Sequence, residues 1–554
     1  MASSGVFMGG SVRGAGSVAP VLRSFAVRGV VEGFYGPPWT HDARLEVISF
    51  LAARAMNAYA YAPKDDVRHR SEWRVQYEPA ERDRFRELAE HADTHGVRFG
   101  FAISPGLDID YESPADRDAL LRKLGPLREA GVEWFLLLLD DIPMQRELAT
   151  RQAALVAWLH GALDGAALTM CPTEYVGTRP SPYLAELGSG MPSDVDVMWT
   201  GPTVCSPELR AADARRWTRA LGDRRVIVWD NYPVNDALMT GSLHLGPYRG
   251  REPDLVGVVS GVLCNPMTQA RASQIALGTA MDFLSDPDGY DSDASWARAI
   301  GDVGGNRAAS LGALARACSD SPIAAPDTLD LSRRVRQLED CLAGPDWIAA
   351  AAGLRAELDL ARGVCRDFPE NAPAADHLSA EVAQWAAAAR TAAEAGLAAL
   401  RLIQAARPVA QVVEGVGRVA ATDPEPAMHT AFLVLFSWKG SRTDETVVFG
   451  PRFSVYTPVV QMADGAPALD AAAAVREDAN AIDVLCRLAL RTYDAWRTGA
   501  AGAPLRVFVD GEEQTIDEDG SFVVAGEVVT AQQGPSATRI RAGDTLPFSD
   551  RRLA

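Results

Sequence analysis

The sequence predicts a (β/α)8 barrel followed by a helical bundle and a smaller mixed C-terminal domain. Three observations predict it. Between residue 28 and about 285, eight short apolar runs alternate with segments of helical periodicity, the pattern of parallel strands joined by helical crossovers. One run, Trp134-Phe135-Leu136-Leu137-Leu138-Leu139, is apolar throughout, as in a strand buried on both faces of a parallel sheet. The 554 residues leave room for about three domains. A doubly wound sheet is the alternative, but eight regular units favour closure.

The strands are expected at 29–35, 58–62, 98–104, 133–140, 167–171, 195–199, 226–229 and 257–263. Helices are expected between most of them, at 41–55, 79–95, 115–130, 146–163 and 207–221. The connection 231–255 is long and irregular, and such loops are often functional. A further helical piece lies near 294–318. Apolar residues then recur at helical spacing over 327–342, 345–367 and 376–406, which reads as a bundle with Trp347 and Trp385 in its core. Beyond it, 432–438, 447–458, 506–509 and 521–529 read as strands and 478–496 as a helix, with a turn at Asp510-Gly511. The expected domains are a flexible leader at 1–27, the barrel domain at 28–326, the bundle at 327–407 and a mixed β-rich domain at 408–554.

Composition narrows the function classes. Hydrophobic residues make up 47% and charged residues 23%, as in ordinary globular proteins, and the net charge of −19 disfavours nucleic acid or an anionic membrane as partner. Arg13 and Arg23 interrupt the leader, so no signal-peptide apolar stretch is present, and no run reaches transmembrane length. The Gly-rich run at 9–16 has no strand before it and no Gly-Lys-Ser/Thr ending, so it is not a phosphate loop. The seven cysteines are scattered without a CxxC pair and the histidines do not cluster, so neither a metal site nor a disulfide framework is expected. A cytoplasmic, bacterial protein without a cofactor is the expectation, with homodimerisation left open. Lys64, Lys123 and Lys439 are the only lysines among 54 basic residues. A lysine retained in such a chain suggests a place where a compact ammonium is needed.

Every expected barrel strand ends in a polar or aromatic cluster. The first gives Val31-Glu32-Gly33-Phe34-Tyr35-Gly36, the second Tyr61-Ala62-Pro63-Lys64-Asp65-Asp66, the third Ala102-Ile103-Ser104-Pro105-Gly106-Leu107-Asp108 and the fourth Asp140-Asp141-Ile142. The fifth gives Cys171-Pro172-Thr173-Glu174-Tyr175, the sixth Trp199-Thr200-Gly201-Pro202, the seventh Trp229-Asp230-Asn231-Tyr232 on to Asp236, and the eighth Cys264-Asn265-Pro266. One such cluster is ordinary turn chemistry, and an Asp-Asp pair is most often a helix cap. Eight on the face where barrel enzymes work point to a site, and aromatic faces among amides and charges suit a sugar. Two adjacent acids should repel, so that one keeps its proton near neutral pH. Lys64 could instead pair with Asp65 or Asp66 at the surface, and Cys171 reads as a small buried hydrophobe.

These motifs are collinear over residues 28 to about 285, and together they resemble glycoside hydrolase family 84, which contains protein O-GlcNAcases and bacterial β-N-acetylglucosaminidases. The segment 327–406 is similar to that family's helical domain. The resemblance implies that Asp140 orients and polarises the substrate's acetamido group and that Asp141 is the general acid/base. It implies that Gly33 (through its carbonyl), Lys64, Asn231, Asp236 and Asn265 contact sugar hydroxyls and the acetamide, and that Tyr175 and Trp229 wall the N-acetyl pocket. Ala237 departs from the family, whose human-type members carry an aromatic there, which puts the aglycone-side contacts in doubt.

Chain geometry leads to the same chemistry. Consecutive Cα atoms lie about 3.8 Å apart, whereas an ordinary retaining glycosidase flanks C1 with two carboxyls about 5–5.5 Å apart. Neighbours leaving one strand end do not easily reach opposite sides of a sugar ring. A tethered nucleophile, the 2-acetamido oxygen, removes the difficulty by attacking C1 to form an oxazoline. The expected function is a retaining β-N-acetylglucosaminidase acting on GlcNAc-bearing proteins or small glycosides. A hydrolase or transferase of a GlcNAc-containing polymer or specialised metabolite, or an inactive GlcNAc-binding module, are the alternatives.

Overall fold

The computed structural model describes residues 24–319 continuously, most of 321–406, and beyond 406 separate segments, the largest being 453–463 and 466–495. The chain runs β1 (Val27–Glu32), α1 (His41–Ala53), β2 (Ala58–Tyr61), α2 (Pro79–Thr94), β3 (Arg98–Ile103), α3 (Pro114–Glu129), β4 (Trp134–Leu138) and α4 (Leu148–Ala162). It continues through β5 (Ala167–Cys171), α5 (Pro182–Gly190), β6 (Asp196–Trp199), α6 (Ala211–Ala220), β7 (Val226–Asp230), β8 (Gly261–Cys264) and α7 (Ala270–Ser285). The eight strands are parallel and form a closed barrel in sequence order, with β1 closing on β8 at Val27 opposite Gly261. The predicted (β/α)8 barrel is therefore the observed fold.

Side chains of alternating parity fill the interior. Val31, Ala58, Ala60, Ala62, Ala102, Trp134, Leu136, Leu138, Ile227, Trp229 and Leu263 belong to one buried cluster. Small residues on β2 and β3 make room for the large ring on β4: a Cβ at Gly100 would lie 2.5 Å from Trp134. The Trp134 indole N–H meets its need by donating to Thr169 Oγ1 at 2.9 Å. The opposite faces of the strands pack against the helix ring, as where Phe101, Tyr61, Tyr77 and Phe85 meet edge-to-face or stacked between β2, β3 and α2.

Two helices were not anticipated. α5 is short and contains Gly188 and Gly190, which lowers its propensity, yet Ser181 caps it by accepting from the Leu184 N–H and Pro182 opens it. That Ser-Pro pair was the legible signal. α7 is buried at nearly every position because it packs against α1 on the barrel and the bundle helix α12 as well, so it carries no amphipathic stripe. The β7–β8 connection is long and irregular, as expected, and holds only 3-10 turns at Ala237–Met239 and Pro253–Leu255. Residues before 24 of the expected leader lie outside the described residues, and Phe25 is already buried against Phe283.

Helices α8 (Ser292–Gly304) and α9 (Ala308–Ala317) lead to α10 (Asp330–Cys341), α11 (Trp347–Asp367) and α12 (His377–Ala405), close to the three expected bundle helices. Trp347 and Trp385 are both buried in a second hydrophobic core. The Trp385 indole donates to the Gly241 carbonyl at 3.0 Å, tying the bundle to the β7–β8 connection. The expected helix at 478–496 is α13 (Ala481–Ala495), which packs on α12. Strands β9 (Val409–Val413), β10 (Val416–Ala420), β11 (Phe453–Ala463), β12 (Ala466–Ala479), β13 (Leu505–Val509), β14 (Glu512–Gln514), β15 (Ser521–Val523), β16 (Val528–Gln533) and β17 (Ser536–Arg541) follow. The run expected at 521–529 is divided between two sheets, β15 pairing with β10 and β16 with β13. Of the strand expected at 432–438 only Val434 is described, and it is helical; the Asp510-Gly511 turn lies outside the described residues. No helix among the described residues is long and apolar enough to cross a membrane.

Candidate active site

The inward parity of the strands continues just past their ends and builds the site. Val31, Ala62, Leu138, Trp229 and Leu263 face the barrel interior, so Gly33, Lys64, Asp140, Asn231 and Asn265, two residues on, point the same way at its C-terminal mouth. All five line one cavity of about 640 Å³, together with Asp141, Tyr175, Trp229 and Asp236. The nine residues singled out from sequence are thus brought together.

Lys64 does not make the surface pair that was its simpler reading. It is 6% exposed, and its Nζ donates to Asp140 Oδ2 at 2.5 Å. Burial pulls its pKa down, but the charge and hydrogen bond of Asp140 more than reverse this and hold the ammonium protonated. Its Nζ also lies 5.6 Å from the Trp229 ring centre. The other carboxylate oxygen, Asp140 Oδ1, is buried and has no protein hydrogen-bond partner. An orphaned buried carboxylate oxygen is costly and marks a place where a donor belongs.

Asp141 breaks the strand parity. Its φ is +55°, a left-handed conformation that turns its carboxyl away from the direction of Asp140. Two phenols hold it there: Tyr175 Oη donates to Oδ1 and Tyr35 Oη to Oδ2, each at 2.8 Å. Burial pushes the carboxyl up, but Lys64, the two tyrosines and Arg70 outweigh it and hold Asp141 below the usual carboxylate range. The expectation that repulsion between the two acids keeps a proton near neutrality is therefore not met at Asp141 in this geometry. The expectation left out the lysine, whose positive charge offsets the repulsion.

The remaining polar groups form a network. Asn265 Nδ2 donates to Asn231 Oδ1 at 2.9 Å, and Asn265 Oδ1 accepts from the Gly33 N–H at 3.1 Å. The Trp229 indole N–H donates to Asn231 Oδ1 at 3.0 Å. Asp236 accepts from the Tyr35 N–H at 2.8 Å, and burial pushes its carboxyl above the ordinary range. Gly33 has to be glycine, because a Cβ there would lie 2.2 Å from the Trp229 ring. Beneath the network Asp230, of the opposite parity, faces outward and anchors the β7–β8 connection through a buried bidentate pair with Arg251, at 2.6 and 2.9 Å.

Sequence reasoning missed Tyr35 as a site residue, although it stands beside Gly33 at the same strand end. It also missed the apolar lining from Val204, Leu238, Met239 and Ile323. Cys171 lines the cavity but is buried, and burial pushes its thiol well above the ordinary range, so it behaves as a hydrophobe. Among the described residues no group of three His, Cys, Asp or Glu side chains is placed to hold a metal ion. The arrangement offers a carboxylate with a free acceptor, a second carboxyl on an independent mount and a shell of donors and acceptors suited to a polyol.

The chain is similar to known proteins over its barrel. Residues 28–316 match the model of a β-N-acetylglucosaminidase family. The chain is 35% identical over 286 residues to protein O-GlcNAcase of Mus musculus, and equally so to that of Rattus norvegicus. The matches cover 48% and 49% of this chain and 31% of each relative, so the chain spans about a third of their length. Among solved structures, a mutant O-GlcNAc hydrolase of Thermobaculum terrenum superimposes with a TM-score of 0.69 at 26% identity, over 86% of this chain and 95% of the other. CpGH84B superimposes with a TM-score of 0.68 at 29% identity, over 77% and 75%. With more than half of its length matched by the family model, and with the barrel and its acidic pair in place, the chain belongs to the β-N-acetylglucosaminidase family, as its motifs led us to expect.

Proposed function

We propose that the chain is a retaining β-N-acetylglucosaminidase that removes β-linked GlcNAc from proteins or small glycosides by substrate-assisted catalysis. The observation that carries this reading is the unpartnered, buried Asp140 Oδ1 beside a second acid that faces elsewhere. An amide N–H fits that oxygen, and a 2-acetamido sugar brings one. Asp140 holds the N–H and stabilises the positive charge that develops on the amide as its carbonyl oxygen attacks C1. The C1–O bond breaks, and Asp141 gives its proton to the departing oxygen. Water then attacks C1 of the oxazoline, Asp141 takes the proton back and the β configuration is restored. Lys64, Asn231, Asp236, Asn265 and the Gly33 carbonyl bind hydroxyls and acetamide, while Tyr175 and Trp229 enclose the acetyl group. The free thiols of all seven cysteines favour a reducing, cytoplasmic setting.

The test is substrate choice. An activated aryl β-N-acetylglucosaminide should be hydrolysed with retention of configuration, while the matching aryl β-glucoside, which lacks the acetamido group, should turn over at least about 10³-fold more slowly, given how much a well-placed tethered group contributes. Comparable rates on the two sugars would overturn the reading.

Lys64 gives a second expectation. The buried site beside Asp140 admits a compact ammonium and not the wider guanidinium fork, so Lys64→Arg should be nearly as damaging as Lys64→Ala. Each should lower kcat/KM by about 10²-fold, the scale for losing a preorganised charged donor. Lys64→Ala should also cost up to about 3 kcal/mol of stability, because it strands a buried carboxylate. Steady-state kinetics well below each variant's unfolding midpoint, with thermal melts, separate the two effects. Near wild-type kcat/KM in Lys64→Arg would remove the ammonium from the site's chemistry.

A further inference from the structure

The cavity has a polar floor and an apolar lip. The strand ends supply the floor, whereas on the β6 and β7 side Val204, Ala237, Leu238, Met239 and Ile323 line it. Leu238 is fully exposed and Val204 is 46% exposed. Scattered exposed aliphatics are ordinary, but these are not scattered. Nine large apolar side chains among the described residues are more than a third exposed, and seven of them (Val67, Val75, Leu107, Met144, Val176, Val204 and Leu238) lie on the loops that follow β2 to β7 at the mouth.

The lip has also spent much of its backbone polarity internally. The Val204 carbonyl accepts from Asn231 Nδ2 and the Cys205 carbonyl from Thr203 Oγ1, each at 2.8 Å. The Met239 N–H donates to the Asp236 carbonyl and the Met239 carbonyl accepts from the Ser242 N–H, at 2.9 and 2.8 Å. Ala237, with φ at +51°, presents Leu238 at the loop apex from a left-handed conformation that alanine rarely adopts. A polar or charged leaving group would find few free partners there, while an apolar one would cover Leu238 and Val204 as it binds.

We propose that this lip is the aglycone subsite and that it selects an apolar aglycone, an alkyl or aromatic body attached to the anomeric oxygen. The inference rests on the glycosidase reading and narrows its substrate class. The experiment measures kcat/KM for methyl, butyl and hexyl β-N-acetylglucosaminides, for serine-linked GlcNAc peptides with charged flanking residues, and for an activated aryl glycoside as reference. Each methylene that reaches the lip should raise kcat/KM about two- to fourfold, the scale of burying one CH2 group. Leu238→Ser combined with Val204→Ser should collapse the hexyl-to-methyl ratio toward unity; both side chains are exposed, so the fold should tolerate the change, and a thermal melt verifies this.

A flat wild-type series would overturn the proposal, as would a charged glycopeptide that outperforms the hexyl glycoside. A ratio that survives the double substitution would also overturn it, by placing the selectivity elsewhere. If the wild-type chain failed to hydrolyse even the activated aryl glycoside, the glycosidase reading itself would fall, and this one with it.

Discussion

Asp141→Asn is expected to slow hydrolysis of an alkyl β-N-acetylglucosaminide by roughly 10²–10⁴-fold, the usual contribution of a positioned general acid. An alkoxide cannot leave unprotonated, so the loss should be large there. It should be much smaller for an aryl glycoside whose phenol leaves readily without a proton. The two phenols on Asp141 sharpen the expectation. Tyr35, Tyr175, Lys64 and Arg70 hold the carboxyl below the usual range, against burial, so the free enzyme loses this proton at low pH. Bound substrate would deepen the burial and weaken that hold. The alkaline limb of kcat/KM, which reports the free enzyme, should therefore fall at lower pH than the alkaline limb of kcat, which reports the complex. Initial rates over a pH series on both substrates check this. Equal losses on alkyl and aryl substrates would remove Asp141 from the role.

The barrel was legible because both of its periodicities are written locally. Apolar runs mark strands, and capped amphipathic segments mark helices. Where burial is nearly complete, as along α7, that contrast vanishes and so does the signal. The site's composition was also legible, because residues two positions beyond an inward-facing side chain still face inward. Thus Lys64, Asp140 and Asn265 could be placed at the mouth before any contact was known. Their mutual arrangement could not. Nothing local in Tyr-Ala-Pro-Lys-Asp-Asp says that Lys64 reaches across the barrel to Asp140 rather than to its own neighbours, since the partner lies 76 positions away in sequence. The left-handed turn at Asp141 and the clasp of Tyr35 upon it are likewise products of tertiary packing, and Lys64, Tyr175, Tyr35 and Arg70 together outweigh burial and hold Asp141 below the usual range.

The central claim is that the nucleophile belongs to the substrate. Replacing the acetyl hydrogens one by one with fluorine withdraws electrons from the amide carbonyl and weakens its oxygen as a nucleophile, while changing the shape of the bound sugar little. If that oxygen attacks C1 with Asp140 supporting the N–H, the rate of an aryl glycoside should fall steeply from acetyl through mono- and difluoro- to trifluoroacetyl. The total loss should be on the order of 10³-fold, which corresponds to about 4 kcal/mol on the barrier. A protein carboxylate acting as nucleophile would feel the fluorines only remotely. The measurement is therefore kcat/KM across this series: a steep, monotonic decline is the predicted result, and a flat response would contradict the account.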